Sequence, residues 1–407
     1  EEMDPMTPPR LAVIGLGGIA QAVHLPLIQR NRDRVELAAV ADLSPRALEE
    51  VAGGYGLGPA HRYRSAAELA EAVRERHEQV DGAILATSGA HADDALMLVR
   101  AGVRVLAEKP LAYSLDEVDR LVDGVERLHR DPAEWIRVGY MKEHDPAVQM
   151  ASRLLESASV RAVDVEVLHP ADDRQLRFAR ARAWGDADPE ALARSRSRMD
   201  EALERAVGGV RDDKSGRALY AAVILGSIVH DLALTRHLGV PLERIFHASR
   251  TGPSFPGSVT VSGSTRGAPW TLGWHFIAGY PEYRETITIH HESGSLEIAF
   301  RTPYILNAPT VITCRSAGGA DRSDVAASAW PQEEAFDREL TAFLGLIRGE
   351  DAPGSGPREA REDLVVAQRL WRACAVSAGV RVDPSSEAGG RVPDGATFDD
   401  VKNGRER

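Results

Sequence analysis

Residues Leu11-Ala12-Val13-Ile14-Gly15-Leu16-Gly17-Gly18-Ile19-Ala20 pass from an apolar run through a glycine turn into an amphipathic stretch. Strand, tight turn and helix in that order are the context in which a G-x-G-x-x-A spacing has chemical meaning. Gly15 permits the turn, Gly17 removes the Cβ that would strike a pyrophosphate, and Ala20 lets the helix lie close to the strand. The helix N-terminus then offers unpaired N–H groups and a positive dipole end to phosphate. Alone, the glycines fit an ordinary tight turn equally well. Asp42 adds weight, because it ends the next apolar run 25 residues after Gly17, near the spacing at which an acid accepts the adenosine ribose hydroxyls of a dinucleotide. A carboxylate there favours NAD over NADP, with Arg46 able to soften the preference. A plain helix cap at Ser44-Pro45 is the other reading of Asp42.

Outward from this turn, residues 10–139 alternate short apolar runs with helical stretches. Leu11–Gly15, Val35–Ala41, Gly82–Ala86 and Val103–Ala107 are nearly continuous in aliphatic residues, as strands buried on both faces should be. Helical patterns lie between them, near 21–29, 45–52, 66–76, 92–101 and 115–128. The rhythm is that of a doubly wound parallel sheet, an α/β Rossmann domain over 10–140. Beyond it the pattern becomes α+β: a strand at 162–168, a charged insertion over 172–214 with a helix at 189–206, and a long apolar helix at 217–238. Five strands then follow between 244 and 300, joined by short turns that favour a large, mainly antiparallel open sheet. Helices near 333–348 and 358–377 close a second domain spanning 141–380. Residues 384–407 read as a flexible polar tail.

Composition excludes several classes. The chain has 407 residues, 43% hydrophobic and 27% charged, an ordinary globular balance. Acids outnumber bases 61 to 49, for a formal charge of -12, which argues against a nucleic-acid partner. Cys314 and Cys374 supply neither a disulfide framework nor zinc-ligand spacing, so the expectation is a cytoplasmic protein without a metal. No apolar run is read as long enough to cross a bilayer, and no targeting segment is read at the start. Only four of the 49 bases are lysine: Lys109, Lys142, Lys214 and Lys402. Guanidinium does not deprotonate in a protein, so a retained lysine points to a need for an amine.

The fourth apolar run leads into Glu108-Lys109-Pro110, and the run before it into Ala86-Thr87-Ser88-Gly89-Ala90-His91. Together with Gly139-Tyr140-Met141-Lys142, Gly226-Ser227-Ile228-Val229-His230-Asp231 and Pro303-Tyr304-Ile305, these segments resemble the Gfo/Idh/MocA oxidoreductase family, which includes glucose-fructose oxidoreductase and inositol dehydrogenases. The resemblance implies a nicotinamide cofactor held by Gly15, Leu16, Gly17, Gly18, Ile19, Asp42, Leu43, Thr87, Ser88, His91, Glu108 and Lys109. It implies Lys109 and His230 as catalytic residues. Lys142 is the substrate-orienting candidate, with His169 as a further pocket candidate and Tyr280 and His275 as weaker ones. It also implies a homo-oligomer, dimer or tetramer.

That assignment suits the chemistry of a secondary alcohol, whose oxidation needs a base for the hydroxyl proton while hydride leaves carbon. The expected reaction is NAD(P)-dependent transfer between nicotinamide and a CH–OH group of a sugar, cyclitol or related metabolite. Many family members carry an aspartate four residues before the helix histidine; here that position is Gly226. The departure keeps two other readings open: a dinucleotide-binding pseudoenzyme or sensor, and an NAD-using lyase or glycosidase with transient oxidation. Arg174 and Arg177 in the insertion suggest a lid over the pocket that recognises an anionic or bulky substituent, against the plainer reading of a solvated charged helix.

Overall fold

The computed structural model describes residues 7–171, 180–208, 214–319 and 321–390. Arg174 and Arg177 lie outside them, as does the end of the chain beyond 390.

The first sheet contains β1 (Arg10–Ile14), β2 (Glu36–Ala41), β3 (Arg62–Tyr63), β4 (Gly82–Leu85), β5 (Arg104–Ala107) and β6 (Ile136–Val138). All pairs are parallel and the order is 3-2-1-4-5-6. This is the doubly wound arrangement, whose direction reverses between β1 and β4 and leaves a crevice at the strands' carboxyl ends. The crossovers are a π-helical turn Ala20–His24 running into α1 (Leu25–Arg30), then α2 (Pro45–Gly54), α3 (Ala66–Arg74), α4 (Ala92–Arg100), α5 (Leu115–Glu126) and α6 (Pro132–Trp135). Serines set several starts. Ser44 and Ser65 accept from the third backbone N–H of their helices, and Ser114 forms a reciprocal capping box with Glu117, satisfying amides that a helix start otherwise leaves unpaired.

After α7 (Pro146–Leu155), the second sheet is built from β7 (Val160–His169), β8 (Arg244–Thr251), β9 (Ser258–Thr265), β10 (Ala268–Phe276), β11 (Arg284–His291), β12 (Gly294–Phe300), β13 (Val311–Ala317) and β14 (Ser323–Ala329). Its order is 14-13-12-11-7-10-9-8, antiparallel except where β10 runs alongside β7. Alternation sets its two faces. Val163, Val165 and Val167 are buried while Asp164 and Glu166 are exposed, and Ile287 and Ile289 of β11 repeat the pattern. The remaining helices are α8 (Pro189–Val207), α9 (Lys214–Ala218), a π-helical stretch Leu219–Ile228, α10 (Val229–His237), α11 (Ala335–Ile347) and α12 (Pro357–Ser377); α12 packs against β8, and α7 against β12, β13 and β14. β13 and β14 are strands that the sequence reading did not anticipate.

Three expectations are corrected by packing. Residues 384–390 are not a free tail: Glu387 accepts the N–H groups of Leu115 at 2.8 Å and Asp116 at 3.0 Å, placing a carboxylate on the positive end of α5, and Ser386 and Ala388 are buried. The insertion helix α8 is not wholly solvated, since Ala202, Leu203, Ala206 and Val207 are buried. One apolar helical run, Gly216–His237, is long enough to cross a bilayer by length and hydropathy; it is mostly buried inside the protein, as a core helix should be. Among the described residues it stands alone in this respect. α11 packs on the first sheet. Phe343 and Ile347 share an apolar cluster with Leu11, Val13 and Ile84 of the first, so the end of the chain returns to the strands that carry the glycine turn.

Candidate functional site

β1 delivers Gly15 to the crevice with φ +90, and a Cβ there would lie 2.5 Å from the Thr87 amide nitrogen and 2.7 Å from the Ala86 carbonyl. Only glycine suits both the dihedral and the contact. At Gly17 the opposite holds: nothing stands within 4 Å of the Cβ direction, so the backbone faces open space where a phosphate could approach it. Gly15→Ala should therefore cost more than about 2 kcal/mol, lowering the thermal midpoint measured by circular dichroism, whereas Gly17→Ala should leave that midpoint nearly unchanged and weaken dinucleotide binding instead.

Asp42 closes the crevice from β2. Its Oδ2 accepts from the Leu16 N–H at 2.7 Å and its Oδ1 from the Ser44 N–H at 2.8 Å. Each carboxylate oxygen keeps a further lone pair for a ribose hydroxyl. Leu43, adjacent, is half-buried and Ser88 is exposed at the end of β4. The glycine cradle and this acid together fit a dinucleotide.

His91 sits differently from its expected place on the crevice wall. It is 1% exposed, its Nδ1 lies 3.2 Å from the Thr87 hydroxyl, and burial holds its pKa down to about 4. A neutral ring thus orients Thr87, which remains partly exposed. Glu108 is also committed within the protein, hydrogen-bonded to His24 Nε2 at 2.8 Å. Burial raises the Glu108 pKa, but His24, Lys109 and His91 together outweigh it and hold the carboxyl below its ordinary value.

Lys109 follows β5 in a cis Lys109–Pro110 bond, and its Nζ donates to the Gly226 carbonyl at 2.5 Å. Gly226 lies within the π-helical stretch, a wide turn of the kind that collects at functional sites. Four residues later, His230 lines a cavity of about 100 Å³ with Lys142, Asp145, Tyr283, Phe300 and Arg301. Pro303 and Ile305 lie in its wall. The His230 pKa is pushed well below its ordinary value, first by burial and then by the Lys109 and Lys142 charges. These effects favour the neutral imidazole.

Lys142 is not a free amine awaiting substrate. Its Nζ donates to both Glu285 oxygens at 2.5 Å, Glu285 is fully buried, and the Tyr283 hydroxyl donates to the same carboxylate. Asp231, 1% exposed, faces this group. Burial and then Glu285 push the Asp231 pKa well above the usual carboxylate range. The Lys142 charge opposes that rise. The sequence reading missed Tyr283 and Glu285, choosing instead Tyr280, which lies in the turn after β10 and outside the residues lining this cavity. His169 packs against Trp274, Phe276 and Tyr283 with ring centroids 5.5–6.3 Å apart, behind the cavity wall. His275 bonds Ser258 across β9 and β10 at 3.0 Å, alternating with buried Trp274 and so turned to the open face of the sheet.

Residues 9–131 match the family model for an oxidoreductase family with an NAD-binding Rossmann fold, GFO_IDH_MocA. Over those residues the amino-terminal domain is similar to the Gfo/Idh/MocA oxidoreductases. Among curated relatives, an inositol 2-dehydrogenase from Ralstonia nicotianae is 28% identical over 155 residues, covering 38% of this chain and 43% of the relative. An inositol 2-dehydrogenase/D-chiro-inositol 3-dehydrogenase from Shouchella clausii is 31% identical over 152 residues, 37% of this chain and 41% of the relative. These matches span less than half the length of those relatives. Solved structures extend the likeness of fold to both domains. Aldose-aldose oxidoreductase from Caulobacter crescentus superposes with a TM-score of 0.66 at 18% identity, over 93% of this chain and 99% of that one. The 3-ketoreductase KijD10 from Actinomadura kijaniata, solved as a lysine-to-alanine mutant with TDP-benzene and NADP, gives 0.64 at 14% identity, over 90% and 98%.

Proposed function

We propose that the protein is a nicotinamide-dependent oxidoreductase that interconverts a secondary alcohol and a ketone on a sugar, cyclitol or related metabolite. The observation that carries this reading is the neutral His230 ring lining a cavity, with the Lys109 and Lys142 ammonium groups acting on it electrostatically. In the oxidation direction His230 accepts the hydroxyl proton, and the Lys109 ammonium stabilises the oxyanion that develops as it leaves. The dinucleotide, when bound, supplies the hydride acceptor at its nicotinamide ring. Gly15 and Gly17 admit its pyrophosphate, Asp42 holds the adenosine ribose, and Thr87, set by His91, lies at the rim of the crevice. Gly226 leaves the histidine without a carboxylate one turn before it, and the Lys142 ammonium, paired with Glu285, acts on the ring electrostatically instead.

The test is a panel of cyclitols and aldoses with NAD, followed at 340 nm from pH 5 to 9. Absorbance should rise, with the acid limb of kcat/KM below the ordinary histidine value of 6.5: a depressed pKa keeps the base form present as pH falls. A limb centred above pH 7 would remove His230 from the role. Gly226 favours a second reading, a dinucleotide-binding protein without turnover, which the same panel separates by binding without any absorbance change.

The exposed Phe246 of β8 and Val325 of β14 support self-association through the open sheet. The free thiols of Cys314 and Cys374 suit a reducing cytoplasm, and the net charge of -12 suits small-molecule rather than nucleic-acid partners.

A further inference from the structure

The described part of the insertion does not reach the substrate cavity; it crosses to the adenosine end of the crevice. Gln21, at the glycine turn, grips the backbone of Arg182 from both sides: its Nε2 donates to the Arg182 carbonyl at 2.8 Å and its Oε1 accepts the Arg182 N–H at 2.9 Å. The Arg182 guanidinium bonds Glu50 of α2 at 3.0 Å, and Trp184 packs against the apolar cluster under the turn. These ties deliver Asp186 to the start of α2. There its Oδ1 accepts from the Ser44 hydroxyl, and its Oδ2 accepts the Arg46 N–H at 3.0 Å.

This position has a defined meaning if the crevice holds a dinucleotide, the reading on which the present inference rests. Ser44 donates its N–H to Asp42, the acid placed for the ribose hydroxyls. A phosphate on the ribose 2'-oxygen would therefore extend toward the next donors along the chain, the Ser44 hydroxyl and the first amides of α2. Those donors already serve a carboxylate. The neighbouring cations are also engaged: Arg46 and Arg182 both bond Glu50, and the Arg64 guanidinium donates to the Leu43 carbonyl at 2.9 Å. The Ser44 hydrogen bond, aided by the Arg46 amide, holds the Asp186 carboxyl below its usual range, so the group is anionic at neutral pH.

We propose that Asp186, carried across from the second domain by the insertion, occupies the 2'-phosphate position and makes the protein select NAD over NADP. Cofactor choice is then set by two carboxylates from different domains, Asp42 against the ribose and Asp186 against a second anion.

The experiment is calorimetric titration of NAD and NADP into the full-length protein and into Asp186→Asn and Asp186→Ser, with Asp188→Asn, at the N-cap of α8, as the control. The readout is the ratio of the NADP and NAD dissociation constants. The wild type should prefer NAD, and both Asp186 variants should shift the ratio toward NADP by about tenfold or more, the size of a modest change in charge interaction. Asp188→Asn should leave it unchanged. Raising salt from about 0.05 to about 0.5 M should narrow the wild-type ratio, because repulsion between charges near the surface is screened. Normal NAD binding with a ratio unaltered in both Asp186 variants, or insensitive to salt, overturns the role of Asp186 alone. Failure of the wild type to bind either dinucleotide overturns the crevice assignment and this inference with it.

Discussion

Replacing Lys109 with Ala is expected to lower kcat by about 10²–10⁴-fold, the range for loss of a group that stabilises or transfers charge at the reacting atom. The NAD dissociation constant should change by less than about tenfold, since the glycine turn and Asp42 hold the dinucleotide independently of this side chain. The fold should survive. The Lys109 ammonium donates to the Gly226 carbonyl, and a bond of that type is worth roughly 1.5–3 kcal/mol. Lys109→Arg distinguishes charge from geometry, because a planar guanidinium keeps the charge but neither the shape nor the titration of an amine; it should remain at least about tenfold impaired. Removing the ammonium also removes a charge that depresses the His230 pKa, so the acid limb of the residual activity should move upward in pH. Near-normal kcat in Lys109→Ala would overturn the assigned role.

A comparably large effect is expected on stability from Glu285→Ala. Lys142 is 7% exposed and Glu285 is fully buried, so deleting the carboxylate strands a cation in a low-dielectric interior. Breaking such a pair from one side typically costs about 3–5 kcal/mol. Asp231 moderates the loss: its proton is held partly by the nearby Glu285 charge, and once that charge is gone Asp231 can ionise against Lys142. We therefore expect about 3 kcal/mol, read from the urea midpoint at constant m. The double variant Lys142→Met/Glu285→Leu should recover most of the loss, because it removes both charges together. A single-variant cost below about 0.5 kcal/mol would show that the pair is not buried as described.

The two effects differ in how far the sequence disclosed them. Lys109 stands out in a chain that otherwise prefers arginine, at the end of a strand whose aliphatic run could be read directly. The pairing of Lys142 with Glu285 could not be read, because 143 residues separate them and the contact depends on how β11 registers beside β7. Tyr283 was missed for the same reason, and Tyr280, three residues earlier, looked equivalent without that register.

Fold followed a similar division. Strands β1, β2, β4 and β5 are buried on both faces and announce themselves as continuous apolar runs. β7 and β11 alternate visibly because one face packs and one is solvated. β14 has neither signal, since Ser323–Ala329 is exposed along nearly its whole length and its residues are chosen by solvent as much as by pairing. The π-helical geometry around Gly226 was likewise hidden. Hydrophobic spacing identifies a buried helix, but this stretch is apolar on every side, so no stripe reports its pitch. Asp186 was invisible because its partners, Ser44 and Arg46, come from another domain. Asp42 was legible, being set by strand and turn.

The central claim is that a pyridine dinucleotide lies against the Gly15–Gly17 turn, across the carboxyl ends of β1 and β4. Isothermal titration of NAD into the full-length protein tests it most directly. One binding event per chain, weakened by Gly17→Ala and retained in Lys109→Ala, is the expected result. Absence of measurable association with NAD, NADP and their reduced forms at millimolar concentration would contradict it.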